Sequence, residues 1–192
     1  MNDRITNILL VGVGGQGILL ASEVLSEAFM LAGFDVKKSE IHGMSQRGGS
    51  VVSHVRFGKE VFSPIVPEGE GDILFGFEIL ETYRCLPLLR PGAVVVANDL
   101  RIAPPSVLLG QQDYPEGIPA KIEKAFPDFL LVNGQQLAAE AGNSRAANTV
   151  LLGAVSRRLD IAPEHWMQAL EKMVPKKAFE VNRKAFELGR SL

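Results

Sequence analysis

Gly12, Gly14 and Gly17 follow the spacing G-x-G-x-x-G, directly after the apolar run at residues 7–11 and directly before a helical pattern that begins at Ile18. In such a turn each glycine has its own physical task. Gly12 permits a tight bend, Gly14 lets backbone approach a ligand, and Gly17 lets the helix pack close to the strand. The first amides of the helix have no partner within it and carry the positive end of its dipole, so they suit an anion. Gly15 and Gln16 complete the loop, and the Gln16 amide can donate to an anion or accept from neighbouring backbone. A second glycine-rich block follows at residues 40–51, EIHGMSQRGGSV, which places His42, Gly43, Met44, Ser45, Gln46, Arg47, Gly48, Gly49 and Ser50 between two strand-like runs. Arg47 beside Gly48-Gly49 offers a bidentate guanidinium next to unobstructed backbone N–H groups, an arrangement that clamps carboxylate or phosphate. The same residues also suit a loop bent at a subunit interface, with Arg47 ion-paired and Met44 making apolar contact.

Other chemistries fit less well. His42, Ser45 and His54 lack the G-x-S-x-G elbow and have no carboxylate placed by motif, so nucleophilic hydrolysis is disfavoured. The three histidines, at 42, 54 and 165, show no metal-ligand spacing. A nicotinamide site wants an acidic residue at the end of the second strand, about 20 residues past the loop. Glu40 comes 28 residues after Gly12 and Asp35 precedes the strand, so hydride transfer is disfavoured as well. The single cysteine, Cys85, excludes a disulfide framework and any cysteine-ligated iron–sulfur cluster built from this chain alone. His165-Trp166 reads as helix packing, and Glu78, Glu81 and Arg84 as a helix start with an i,i+3 ion pair.

Bulk properties set the frame. With 192 residues, 46% hydrophobic and 22% charged, the chain suits one domain with a sizeable core. A net charge of −2 gives no electrostatic footprint for nucleic acid. No apolar run reaches the ~20 residues of a membrane span. The N-terminus reads as a first strand rather than a signal peptide, so a cytoplasmic location is expected.

Elements must hold the two loops in place. Apolar runs alternate with helical patterns, which predicts an α/β fold: a Rossmann-like, mostly parallel sheet with flanking helices. Strands are expected at residues 7–11, 36–41 (charged and near an edge), 50–57, 72–77, 93–97, 106–109 and 129–132. A β-hairpin is expected to insert at residues 50–63, turning at Gly58-Lys59-Glu60. Apolar residues at 18, 21, 24, 25, 28 and 31 give the first helix its 3.6 period, and Gly33 sits at its C-cap. Helices are also predicted at 78–89, before a Pro91-Gly92 turn, and at 118–125. A helical C-terminal segment follows at 135–141, 145–159, 163–173 and 175–188, with Pro163 and Pro175 at first helical positions. It should pack on the sheet or on a partner.

The run GVGGQG followed by EIHGMSQRGGSVVSHVR resembles the gamma-type subunit, or domain, of 2-oxoacid:ferredoxin oxidoreductases, and the wording HGMSQRGGSV is closest to the beta subunits of the indolepyruvate-type members. The likeness covers residues 8–102, and the chain length fits one whole domain, residues 1–192, of that kind. The resemblance implies oxidative decarboxylation of a 2-oxoacid to acyl-CoA with reduction of ferredoxin, using thiamine diphosphate and iron–sulfur clusters. This chain has one cysteine and no thiamine signature of the G-D-G…N-N kind. The resemblance therefore puts those cofactors on a larger partner subunit. This chain would complete the active-site surroundings, with contact to CoA or to the partner. A stand-alone nucleotide- or CoA-binding module, or a scaffold without ligand contact, remain the alternatives.

Overall fold

The computed structural model describes residues 4–42 and 49–192, the His42 side chain excepted. Six strands form one sheet: β1 (Thr6–Val13), β2 (Asp35–His42), β3 (Ser50–Gly58), β4 (Gly71–Gly76), β5 (Leu89–Asn98) and β6 (Phe129–Val132), in the spatial order β2-β3-β1-β4-β5-β6. β1, β4, β5 and β6 pair in parallel, while β3 runs antiparallel to both β1 and β2. Only β3 is therefore reversed, and the sheet is mostly parallel as expected. β2 lies at an edge, which explains its charged sequence, DVKKSEIH.

Helix α1 (Ile18–Leu31) follows the glycine loop. It stops because Gly33, at φ 86°, closes a C-terminal motif in which the Gly33 and Phe34 amides donate to the Met30 and Phe29 carbonyls. Phe34 then packs edge-on against Phe29, and Phe29 stacks on Phe57 of β3 and meets Trp166 edge-on. The Trp166 ring is fully buried, as the packing reading of His165-Trp166 requires.

Between β4 and β6 lie α2 (Ile79–Arg84), α3 (Pro105–Leu108) and α4 (Ile118–Ala125). After β6 come α5 (Gly134–Ala141), α6 (Ala147–Ser156), α7 (Pro163–Met173) and α8 (Phe179–Arg190). The C-terminal helices do pack on the sheet: Val150, Leu151, Val155, Leu170 and Phe186 join α1 and one sheet face in a single core. The opposite face is covered by α2, α4 and the segment carrying Val66. Among the described residues no helix is long and apolar enough to cross a membrane.

Five local expectations need correction. Pro175 is not a first helical position: it precedes the 3-10 turn Lys176–Ala178, and α8 starts only at Phe179. The inserted hairpin exists, but β3 pairs with β2 (Asp35↔Gly58, His42↔Val51), not with residues 61–63. Both edges of β3 are already taken by β1 and β2. The following segment therefore crosses its face, where Arg56 Nη1 donates to the Ser63 and Ile65 carbonyls and Val66 N–H donates to His54 Nδ1. The helix predicted over 78–89 is cut short after Arg84, and Leu86–Leu88 forms a 3-10 turn with Pro87 in it. Pro91-Gly92 lies inside an irregular start of β5, and the register to β4 shifts between Gly71 and Ile73. The strand predicted at 106–109 is the one-turn helix α3, whose first residue is Pro105.

Candidate functional site

All the parallel strands end at one edge of the sheet, and the chain changes direction there between β1 and β4. Ligands of open α/β folds bind at that point. A crevice of about 390 Å³ opens at this edge. Its lining draws on Gly15, Gln16 and Gly17 from the first loop, Phe77 after β4, Asn98 at the end of β5, and Arg145 and Asn148 before and within α6.

The glycine loop lies where its spacing predicts, but Gly12 belongs to the strand and not to a tight bend, which spans residues 14–17, and the neighbour that crowds Gly17 is Asn148 of α6 rather than the strand. Gly12 lies in β1, where an added Cβ would come within 2.5 Å of Gln16 Oε1 and 2.8 Å of Phe77 Cβ. Gly15 is exposed at φ 100°. Gly17 caps α1 at φ 80°, and a Cβ there would meet Asn148 Nδ2 at 2.6 Å. The first turn of α1 has no capping side chain and no acidic residue, so its amides remain suited to an anion.

Gln16 has a different task from anion donation. Its Oε1 accepts from Val13 N–H at 2.7 Å and its Nε2 donates to the Phe77 carbonyl at 3.0 Å, so both ends of the amide are engaged by backbone. Asn98, 2% exposed, donates to the same carbonyl at 3.2 Å and accepts from Gly134 N–H at 3.1 Å. The ends of β1, β4 and β5 and the start of α5 are thereby laced together beneath the crevice. Arg145 is the only charged side chain lining this crevice among the described residues. Arg145 and Asn148 also border a neighbouring crevice of about 400 Å³ that reaches Lys177 and Asn182.

The second block is brought to the same edge. His42 ends β2 opposite Val51, Ser50 opens β3 opposite Val13, and Gly14 N–H donates to the Gly49 carbonyl at 2.9 Å. The two glycine-rich turns thus leave the sheet side by side. Gly43, Met44, Ser45, Gln46, Arg47 and Gly48, and the His42 side chain, lie outside the described residues. A dinucleotide site of the usual kind is ruled out by strand order. β3 separates β1 from β2, so any acidic residue at the end of β2 stands two strand spacings, about 10 Å, from the loop.

Near the crevice, Glu78 is 1% exposed and caps α2 by accepting from Glu81 N–H at 2.8 Å, while Glu81 pairs with Arg84 at 2.6 Å, as the sequence predicts. The other Glu78 oxygen accepts from Ile102 N–H and from the Tyr114 hydroxyl, at 3.1 and 2.9 Å. Burial and this carboxylate push the Tyr114 pKa well above its ordinary value, so the hydroxyl stays a donor. Cys85 is buried, and burial pushes its thiol up to about 11. Neither residue type nor spacing marked Arg145 or Asn148. Asn98, a polar residue closing the apolar run AVVVA, carried the one usable signal.

Comparison with known proteins identifies the family and the fold. Residues 7–192 match the pyruvate ferredoxin/flavodoxin oxidoreductase family. The chain is 43% identical over 188 residues to an indolepyruvate oxidoreductase subunit IorB of Pyrococcus horikoshii, covering 95% of this chain and 93% of that one. Its fold matches a keto/oxoacid ferredoxin oxidoreductase gamma subunit from Geobacter sulfurreducens (TM-score 0.70, 24% identity, 97% and 96% of the two chains covered). It also matches part of a longer chain, the 2-oxoglutarate:ferredoxin oxidoreductase of Magnetococcus marinus, whose structure holds 2-oxoglutarate, coenzyme A and succinyl-CoA (TM-score 0.74, 20% identity, 98% of this chain and 31% of that one). Matched along nearly its whole length, the chain belongs to the pyruvate ferredoxin/flavodoxin oxidoreductase family and is a subunit of a 2-oxoacid:ferredoxin oxidoreductase.

Proposed function

We propose that this subunit serves the oxidative decarboxylation of an aryl 2-oxoacid such as indolepyruvate to an acyl-CoA, with ferredoxin reduced through the complex. The substrate class follows the 43% identical relative named for indolepyruvate. The redox cofactors do not fit this chain: its one thiol is buried, and burial holds it protonated. Thiamine diphosphate and the iron–sulfur clusters are assigned to a larger partner subunit, and no step of the reaction is routed through this chain's own cysteine.

One observation carries the reading. A crevice rimmed by Arg145, with the uncapped start of α1 at its side, lies where the two glycine-rich turns leave the sheet. The adjoining crevice extends this surface to Lys177. Such a groove suits the phosphates of CoA and leaves Arg47 and its neighbours for the partner or the same ligand. The test is co-expression with the large subunit. The isolated chain should oxidise no 2-oxoacid, the complex should, and Arg145→Gln in the complex should raise KM for CoA at least tenfold with kcat little changed. Oxidation by the isolated chain, or an unchanged KM, would overturn this reading.

A further inference from the structure

A second cavity lies at the opposite end of the sheet, among the starts of β1, β4 and β5 and the chain just after α6. Its volume is about 280 Å³, and three arginines, Arg4, Arg90 and Arg158, line it with a single carboxylate, Asp72. We propose that this cavity binds a small organic anion, with its oxyanion head among the arginines and its apolar body against the apolar side chains of the lining. This goes beyond the CoA groove, with which it shares no lining residue.

The Asp72 side chain is only 8% exposed, so its charge needs compensation. Oδ1 accepts from Arg4 Nη2 and Arg90 Nε, each at 2.6 Å, and Oδ2 accepts from Asn7 N–H at 2.8 Å. Two guanidinium groups therefore share one carboxylate, although one bidentate arginine would neutralise it. Arg158 adds a third positive charge, and its partner is Asp128, an exposed residue outside the lining. Among the described residues the lining thus holds three positive charges against one negative, and with Asp128 counted one positive charge remains in excess.

Donors are also in surplus. Among the described residues, Arg4 and Arg158 each use one terminal nitrogen in the contacts above, and Arg90 adds only a bond from Nη1 to the Pro91 carbonyl. A guanidinium presents five N–H donors in a planar fork matched to carboxylate and phosphate oxygens. Apart from Thr6 and the charged residues, the described lining is apolar: Phe57, Ile73, Val94 and Leu159. A bare inorganic ion would leave those side chains uncovered, whereas an aryl or alkyl carboxylate would cover them.

Phenylacetate is the probe. The full 192-residue chain is titrated by calorimetry and thermal unfolding at constant ionic strength, against inorganic phosphate and chloride. Saturable phenylacetate binding is expected, with a rise in Tm absent for chloride. Arg158→Gln, which leaves the Asp72 network intact, should weaken binding at least tenfold. Arg145→Gln, in the CoA groove, should leave it unchanged. Arg158→Gln must itself keep the wild-type Tm without ligand, and Arg90→Gln gives an independent reading of the same cavity. Absence of saturable binding, binding of phosphate but not phenylacetate, or loss in Arg145→Gln with retention in Arg158→Gln would each overturn the proposal. None of these outcomes bears on the KM test of the CoA groove.

Discussion

Gln16 and Asn98 meet at one atom: both side-chain amides donate to the Phe77 carbonyl, at 3.0 and 3.2 Å. One residue comes from the loop after β1 and the other from the end of β5, so that carbonyl, just past β4, ties together three parallel strands. The floor of the crevice is thus held by side chains that do not depend on a ligand.

Gln16→Ala removes both of its bonds and leaves Val13 N–H without its acceptor. Unsatisfied buried backbone costs about 1–3 kcal/mol. Urea unfolding should show a lower midpoint with an unchanged m-value, and the assembled complex should bind CoA more weakly. An unaltered midpoint would mean that the lacing contributes nothing.

Gly12→Ala and Gly17→Ala should both destabilise, for different reasons. The first meets Gln16 and Phe77 in a filled space, where overpacking costs about 1–3 kcal/mol. The second must hold a left-handed backbone, at roughly 1–2 kcal/mol, and must displace the Asn148 amide. Gly15→Ala has free space around its Cβ and should suffer only the backbone cost. Ranking the three by thermal unfolding checks the geometry, with Gly15→Ala predicted mildest.

His54 makes stability depend on pH. Burial, then the Arg56 charge, lowers its pKa, and its unprotonated Nδ1 accepts from Val66 N–H at 3.1 Å. The folded state therefore favours neutral imidazole, while the unfolded chain takes up a proton near the ordinary value of about 6.5. The His54 contribution is complete above that value and is lost progressively as pH falls from there towards the lowered folded value. Unfolding free energies at pH 7.5 and 5.5 should differ less in His54→Gln than in the wild type. An equal difference would remove His54 as the cause.

Glu78→Ala strands the Glu81 and Ile102 amides and the Tyr114 hydroxyl together. A loss of about 2–3 kcal/mol is expected, and the proline-rich stretch around residues 101–117 should become sensitive to limited proteolysis. Cleavage elsewhere, with this stretch still protected, would contradict the role given to Glu78.

Cys85 should be inert in the native protein, because the thiolate is the reactive form and burial lifts the pKa to about 11. Iodoacetamide at pH 8 should label it slowly in buffer and rapidly in denaturant. Fast native labelling would show that the thiol is accessible.

The sequence alone determined what depends on near neighbours along the chain. The 3.6 and 2 periodicities and the punctuating glycines and prolines located the helices at 118–125 and 163–173, the strand at 129–132 and the turn that follows β1, because each is set by residues within a few positions of itself. The motif wording carried the family for the same reason. Tertiary structure decided who stands beside whom. β3 goes between β1 and β2, and that insertion turned the expected hairpin around and closed the dinucleotide reading. Gln16 faces a carbonyl 61 positions away, and Asn148 reaches Gly17 across 131. No local pattern encodes such partners: they follow from which strand edges and backbone groups stay unpaired once the sheet has assembled, and only the folded chain fixes that.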